Sequence, residues 1–275
     1  MAITAAMVKA LRDKTGLPMM ECKKALTEAG GDEEKAIEVL RKLGAGKVLK
    51  LSTREATEGR IACYVDPENK RGGIVELRCE TAPVANTEDF AKLAVTIARQ
   101  VATTGATDGE TLRAQPLSDE PSRTLGVHFD DVFNRVRENM KIARAGQLSG
   151  NLGHYVHHNA QVGVLVEMSG ECTPELKTDI CMHIAAMNPP CLRREDADPK
   201  EVEQQKAAFA EEAKGKPEAI VEKIVSGKMN RWFSEFVLLE QPFVKDDKQS
   251  VAKVLQALAP DLTVTRFLRY EVGGV

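Results

Sequence analysis

The segment Gly72–Leu77, with the sequence GGIVEL, recurs in its apolar pattern as Gly163–Met168, with the sequence GVLVEM. Each copy follows a strand-like segment that carries a tyrosine, Tyr64 in the first case and Tyr155 in the second. A short apolar run bounded by turn residues is typical of a buried strand. Each copy also precedes a stretch with helical periodicity. The repeat therefore predicts two related strand–strand–helix modules, the body of an α+β fold.

The helices of the two modules are predicted from apolar residues at helical spacing. The first covers 88–102 and the second about 174–186. Within the second module, the highly charged stretch 198–216 predicts a protruding helical arm or helical hairpin. The chain closes with a predicted helix over 250–258 and a strand over 262–272.

Ahead of the two modules, residues 1–44 are predicted to form three short helices. Gly16 ends the first, Asp32 begins the third, and Gly44 ends the third. A unit this small has a thin core, so it suits a docking module better than a catalytic scaffold. Residues 45–58 show no clear period and are interpreted as a linker that can end in a short helix.

Composition excludes several classes of protein. The 275 residues include 41 acidic and 38 basic side chains, which gives a formal net charge of −3. We therefore expect no direct nucleic-acid binding, which needs a basic surface. Aromatic residues make up only 4%, which argues against a base-stacking platform. No apolar run approaches the ~20 residues of a membrane span, and no signal peptide is visible, so we expect a cytoplasmic protein.

Few residues point to catalysis or metal binding. The six cysteines form no CxxC pair and are expected to be reduced and mostly buried. His154, His157 and His158 form the one histidine cluster, which favours a polar strand surface over a zinc site. Cys79 has no base beside it in the sequence, so a nucleophilic role is not expected. Phosphate-binding loops of the GxxxxGK[ST] type are absent, and the residues alone favour a multi-module binding protein over an enzyme.

The segment Leu11–Leu26, with the sequence LRDKTGLPMMECKKAL, resembles the N-terminal signature of the translation elongation factor Ts family. The resemblance continues in the family's order across nearly the whole chain. The further matching segments are ELRCET (76–81), YVHH (155–158), GVLV (163–166), HIAA (183–186), GKP (215–217), QPFV (241–244) and RYEVG (269–273).

This resemblance implies a ubiquitin-associated-like helical domain with its linker over 1–54. It then implies two related α+β subdomains over 55–140 and 141–275, the second with a helical arm at about 198–216. It further implies a guanine nucleotide exchange factor that binds elongation factor Tu, promotes GDP release by disturbing the Mg²⁺/phosphate site, and leaves when GTP binds. Such a factor is not an enzyme and needs no cofactor or bound metal. The resemblance also allows a two-fold complex.

Matching positions in the N-terminal domain imply partner contacts at Arg12, Met19 and Met20. Exposed methionines suit such contacts because their side chains adapt in shape. We nevertheless expect one of these two methionines to lie in the core. In the C-terminal module, His183 is a weaker candidate for partner binding, and a helical histidine in this setting is a packing or interface residue more often than a base.

A second implied contact is the family's Thr-Asp-Phe-Val loop, whose Phe enters an apolar pocket of the GTPase. Here the loop reads Thr81, Ala82, Pro83 and Val84. A buried Phe contributes about 1.5–3 kcal/mol, of which Pro recovers only part, so exchange is expected to slow by about 10–100-fold. Alternatively, Pro83 stiffens the loop into a rigid wedge, or the partner's pocket has changed with it. The alternative to an exchange factor is therefore a protein that holds or chaperones elongation factor Tu with weakened exchange.

Overall fold

A computed structural model describes residues 3–51, 53–66 and 70–274. The chain adopts an α+β fold with an N-terminal group of helices, as the sequence predicts. The strands are β1 (Glu58–Val65), β2 (Arg71–Cys79), β3 (Lys141–Ser149), β4 (Asn151–Val156), β5 (Val162–Met168), β6 (Pro242–Phe243), β7 (Asp246–Ser250) and β8 (Val264–Glu271). In the described part of the chain they form two three-stranded antiparallel sheets, ordered β1-β2-β3 and β4-β5-β8, and the β6-β7 hairpin.

The helices lie before, around and beyond these sheets. They are α1 (Ala5–Thr15), α2 (Met19–Glu28), α3 (Glu33–Leu51), α4 (Ala82–Ala85), α5 (Glu88–Thr104), α6 (Gly109–Ala114), α7 (Leu125–Val136), α8 (Pro174–Met187), α9 (Pro199–Glu212), α10 (Glu218–Phe236) and α11 (Val251–Gln256). The predicted helices of the two modules correspond to α5 and α8. Thr87 and Thr173 begin these two helices by accepting a hydrogen bond from the backbone three residues ahead.

The repeated segment provides the central strand of each three-stranded sheet, β2 in the first and β5 in the second. One face of the first sheet packs on α5 and α7, and one face of the second packs on α8 and α11. Their other faces meet in a shared apolar layer that includes Ile61, Ile74 and Leu165. Gly163 allows this approach, since a Cβ atom there would lie 2.4 Å from Cγ2 of Ile61. The two modules therefore pack sheet against sheet, with their helices outside.

β3 was not predicted, and it affects where the chain divides. It follows the expected subdomain boundary at 140/141, yet it pairs with β2 and completes the first sheet. The chain passes from the first sheet to the second at Gly150, between β3 and β4. A division at Gly150 keeps both sheets whole, whereas the boundary at 140/141 removes an edge strand from the first.

The N-terminal helices α1, α2 and α3 enclose a small core around Leu11, Cys22 and Leu26. Gly16 ends α1 in a left-handed conformation, as predicted. The prediction that Gly44 ends the third helix is wrong, because α3 continues to Leu51. Gly44 is buried against α7, and a Cβ atom there would lie 2.3 Å from the side-chain oxygen of Asn134. This glycine permits close helix packing rather than helix termination.

The arm of the second module is a pair of helices, α9 and α10, and so extends beyond the predicted 198–216. Asp198 caps α9, and Lys228 of α10 forms an ion pair with Glu212 of α9. The apolar residues along the pair include Val225, Met229 and Phe233, which form a separate small core.

Candidate partner-binding surface

The predicted loop at Thr81–Val84 forms the start of the single-turn helix α4 on the surface of the first module. Thr81 is held by Glu138, since its backbone N–H donates to Oε2 at 3.0 Å and its hydroxyl donates to Oε1 at 2.7 Å. Ala82 and Pro83 are exposed, and Val84 is half-buried. Pro83 lies in the first helical turn, where its missing N–H costs no hydrogen bond. The turn is therefore anchored at its base and presents Pro83 to solvent.

The far end of α4 is held as well. The Thr87 hydroxyl donates to the carbonyl of Val84 at 2.8 Å, and the Arg60 guanidinium donates to the carbonyl of Ala85 at 3.1 Å. Thr87 also begins α5, whose inner face lies in the core of the first module. Because both ends are fixed to packed elements, the turn is ordered before any partner arrives, which lowers the entropy cost of binding.

Aromatic side chains are missing from this turn. Phe90, the next aromatic residue along the chain, is fully buried in the core of the first module. It cannot reach a partner without unfolding α5. The apolar surface that the turn offers is thus limited to Ala82, Pro83 and part of Val84.

The N-terminal helices present the other predicted contact residues. Arg12 is exposed on α1, and Met19 and Met20 are 49% and 63% exposed at the start of α2. The expectation that one methionine belongs to the core is wrong, because Cys22, Ala25 and Leu26 supply the buried face of α2. Both methionines are free to contact a partner.

A short segment after α7 connects these two surfaces. Nη2 of Arg137 lies 3.0 Å from Oε1 of Glu21, which follows Met20 in α2. The next residue, Glu138, holds Thr81 at the base of α4. Glu21, Arg137 and Glu138 carry no signal in the sequence, since no local pattern relates positions that are more than fifty residues apart.

His183, the candidate of the C-terminal module, has no exposed surface. Its Nδ1 accepts a hydrogen bond from the backbone of Val244 at 3.2 Å, so the neutral ring carries its proton on Nε2 and donates it to Gln241 Oε1 at 3.0 Å. Burial lowers the pKa of His183, and the hydrogen bond to Gln241 opposes this. The ring can therefore affect a partner only through the segment that it positions, where Val244 is half exposed.

The comparison with known proteins bears on the whole chain. The family model described as Elongation factor TS matches residues 80–274. The chain belongs to the elongation factor Ts family. Elongation factor Ts of Methylococcus capsulatus is 42% identical, over 99% of this chain and 93% of that relative. Elongation factor Ts of Nitratidesulfovibrio vulgaris is 39% identical, over 99% of this chain and 96% of that relative. Elongation factor Ts of Aquifex aeolicus is 38% identical, over 100% of this chain and 99% of that relative.

An elongation factor Ts-like function follows from this membership. The family model begins at Glu80, directly before the anchored turn, while the relatives also cover the three N-terminal helices. Both candidate surfaces therefore lie in regions that this chain shares with elongation factor Ts proteins.

Cys79 and the histidine cluster, which the sequence singles out, are not arranged for nucleophilic or metal chemistry. Burial, together with Glu138 and Glu58, raises the pKa of the Cys79 thiol to about 12, so it is protonated at neutral pH. β4 ends at Val156, before the histidine pair, and the rings of His157 and His158 lie 4.2 Å apart. Among the described residues, no group of three His, Cys, Asp or Glu side chains could hold a metal ion. Within the same residues, none of the helices combines the length and apolar character needed to cross a membrane.

Proposed function

We propose that this protein is a guanine nucleotide exchange factor for elongation factor Tu. It binds the GDP form, promotes GDP release and leaves when GTP binds, and it does so in the cytoplasm. The observation that carries the proposal is the surface turn α4, fixed in advance through Thr81 and Glu138 in a chain of the elongation factor Ts family. A rigid turn can transfer binding free energy into a displacement of the partner, whereas a loose loop would yield to it.

The physical basis is coupling between two ligands of one GTPase. A factor that binds the nucleotide-free GTPase more tightly than the GDP form must weaken GDP binding by the same factor. Mg²⁺ bridges the phosphates of the bound nucleotide, so a disturbance of the metal site weakens the binding of Mg²⁺ and of the nucleotide. In this proposal α4 supplies that disturbance from a distance, and the chain itself performs no covalent chemistry.

The two surfaces divide the work. Arg12, Met19 and Met20 contact the nucleotide domain of the GTPase, and α4 enters its apolar pocket. We also propose that the chain divides functionally into the helical unit of residues 1–54 and two α+β units that meet near Gly150, where one sheet passes into the next. His183 contributes indirectly, by holding the exposed segment at Val244.

A second candidate function is the binding or chaperoning of elongation factor Tu with weak exchange. The composition of α4 favours it, because exposed Ala82 and Pro83 bury less apolar surface in a partner than a phenylalanine would. The rigidity of the turn therefore favours exchange, whereas the small size of its tip favours binding with weak exchange. The rate of exchange separates the two functions.

The test is stopped-flow release of a fluorescent GDP analogue from elongation factor Tu. We expect micromolar concentrations of this chain to accelerate release, and the Met19→Ala/Met20→Ala variant to require a higher concentration for the same acceleration. A chain that forms a complex on a sizing column without accelerating release would support the second function and overturn the first.

A further inference from the structure

Three consecutive residues after α7, Arg137, Glu138 and Asn139, each hold a different part of the molecule. We call Arg137–Asn139 the link segment. Arg137 binds α2 through Glu21, and Glu138 binds the base of α4 through Thr81. The link segment thus contacts both candidate surfaces, with consecutive Cα atoms only about 3.8 Å apart.

Asn139 fixes the segment to the body of the protein. It is buried, its backbone N–H donates to Oε1 of Glu80 at 2.7 Å, and its side-chain amide donates to the carbonyl of Arg54 at 2.6 Å. Arg137 caps α7 in a left-handed conformation, with φ 62°, and its N–H donates to the carbonyl of Phe133 at 2.7 Å. Each residue of the link segment is therefore constrained through its backbone, its side chain or both.

The N-terminal helices also rest on α7 away from the link segment. Arg41 of α3 lies 3.7 Å from Asp131, and Gly44 packs on Asn134. Gly16, in the turn between α1 and α2, packs on α7 as well, since a Cβ atom there would lie 2.8 Å from Cδ of Arg135. These contacts bring the helices to α7 at α3 and at the turn that precedes α2. The ion pair between Glu21 and Arg137 adds a contact between the methionine-bearing end of α2 and the residue next to Glu138.

We propose that the link segment sets the orientation of the α2 surface relative to α4, so that both surfaces engage one GTPase molecule together. The inference rests on the proposed function and deepens it. Two surfaces held in one orientation bind as a single rigid ligand, while two loosely joined surfaces lose affinity to the ordering of the joint. Arg137 and Glu138 act as positioning residues and need not touch the partner.

The first arm of the test is a double-mutant cycle on Glu21→Gln and Arg137→Met. The side chains are 30% and 45% exposed, so a pair of this kind is weak. We expect each single variant to lose about 2- to 5-fold in affinity for nucleotide-free elongation factor Tu, and the double variant to lose little more. Arg137→Lys should retain part of the affinity. Asp130→Asn is the matched control, since it breaks a 2.6 Å ion pair of similar exposure between α7 and Arg113 on α6.

The second arm reads orientation in the free chain, without any partner. Spin labels at Lys24→Cys on α2 and Lys92→Cys on α5 occupy exposed positions, in a background where half-buried Cys63 and Cys172 are replaced by alanine. Pulsed electron paramagnetic resonance should give a narrow distance distribution for the parent chain. Arg137→Met should broaden it at an unchanged melting temperature, and Asp130→Asn should leave it narrow.

A broadened distribution together with the affinity loss supports the inference. An unchanged distribution in Arg137→Met, or broadening with full affinity for the nucleotide-free GTPase, overturns it. Additive losses in the cycle also overturn it, because they show that Glu21 and Arg137 act separately. If the parent chain itself fails to accelerate GDP release, the proposed function is wrong. If the parent chain accelerates release and the variants keep their affinity and distance distribution, only the role of the link segment is wrong.

Discussion

Restoring an acidic and an aromatic residue to α4 should increase exchange. The variant is Ala82→Asp with Pro83→Phe. Both positions are exposed in the first turn of α4, so neither new side chain meets a packed neighbour. The new N–H of residue 83 lies in the first turn, where helices leave such groups to solvent, and an aspartate near the helix N-terminus is favourable.

The expected magnitude follows from the exposure of the turn. A phenylalanine that passes from water into the partner's pocket contributes about 1.5–3 kcal/mol. Loss of the proline costs about 0.4–1 kcal/mol, because the chain without it has more conformational entropy to lose when the turn is ordered. Because Thr81 and Ala85 remain anchored through Glu138 and Arg60, ordering of the turn adds no further cost. The net gain of about 0.5–2.6 kcal/mol corresponds to about a 2- to 80-fold faster release of GDP.

The assay is stopped-flow release of a fluorescent GDP analogue from elongation factor Tu at a fixed, subsaturating concentration of each variant. Pro83→Ala is the control, since it removes the ring without adding an aromatic residue. If the double variant releases GDP more slowly than the parent while Pro83→Ala has little effect, the partner's pocket fits the Ala-Pro turn, and the reasoning from lost apolar surface is refuted.

Two further predictions concern packing and pH. Gly44→Ala should lower the free energy of unfolding by about 1 kcal/mol, since overpacking against Asn134 exceeds the gain in helix propensity. Gly227→Ala, which has open space around it, should raise the free energy of unfolding by up to about 1 kcal/mol. Urea unfolding measures both, and a shift of the two variants in the same direction would contradict this reasoning from packing. Burial lowers the pKa of His183 below its usual 6.5. As pH falls below 6.5, His183 therefore binds a proton in the unfolded chain while it stays neutral in the folded chain, and the free energy of unfolding decreases. Unfolding measured from pH 7.5 to 5.5 should show this loss, and His183→Gln should reduce the slope; an unchanged slope would exclude His183 as its source.

Local sequence patterns predicted the parts of the fold that depend on local physics. The apolar runs of β2 and β5 and the periodic faces of α5 and α8 are buried as expected. Ends of helices were predicted where a cap decides them, as at Gly16. The order of elements and their repeat then gave the correct fold class.

The failures occur where distant residues decide the outcome. Gly44 looks like a helix terminator until Asn134 is seen beside it, and β3 looks irregular until β2 provides a pairing partner. The exposure of both Met19 and Met20 depends on which face of α2 meets the small N-terminal core. Contacts such as Arg137 with Glu21 leave no trace in a local pattern, so the joint between the two candidate surfaces required the structure.

We expect this chain and GDP to weaken each other's binding to elongation factor Tu. Isothermal titration of the chain into elongation factor Tu, once nucleotide-free and once saturated with GDP, measures this coupling directly. Binding to the nucleotide-free form should be tighter by a factor of at least about ten, and the affinity of elongation factor Tu for GDP should fall by the same factor in the presence of the chain. Equal affinity for the two forms would contradict the proposed exchange function, because a ligand with no preference between two states does not shift the equilibrium between them.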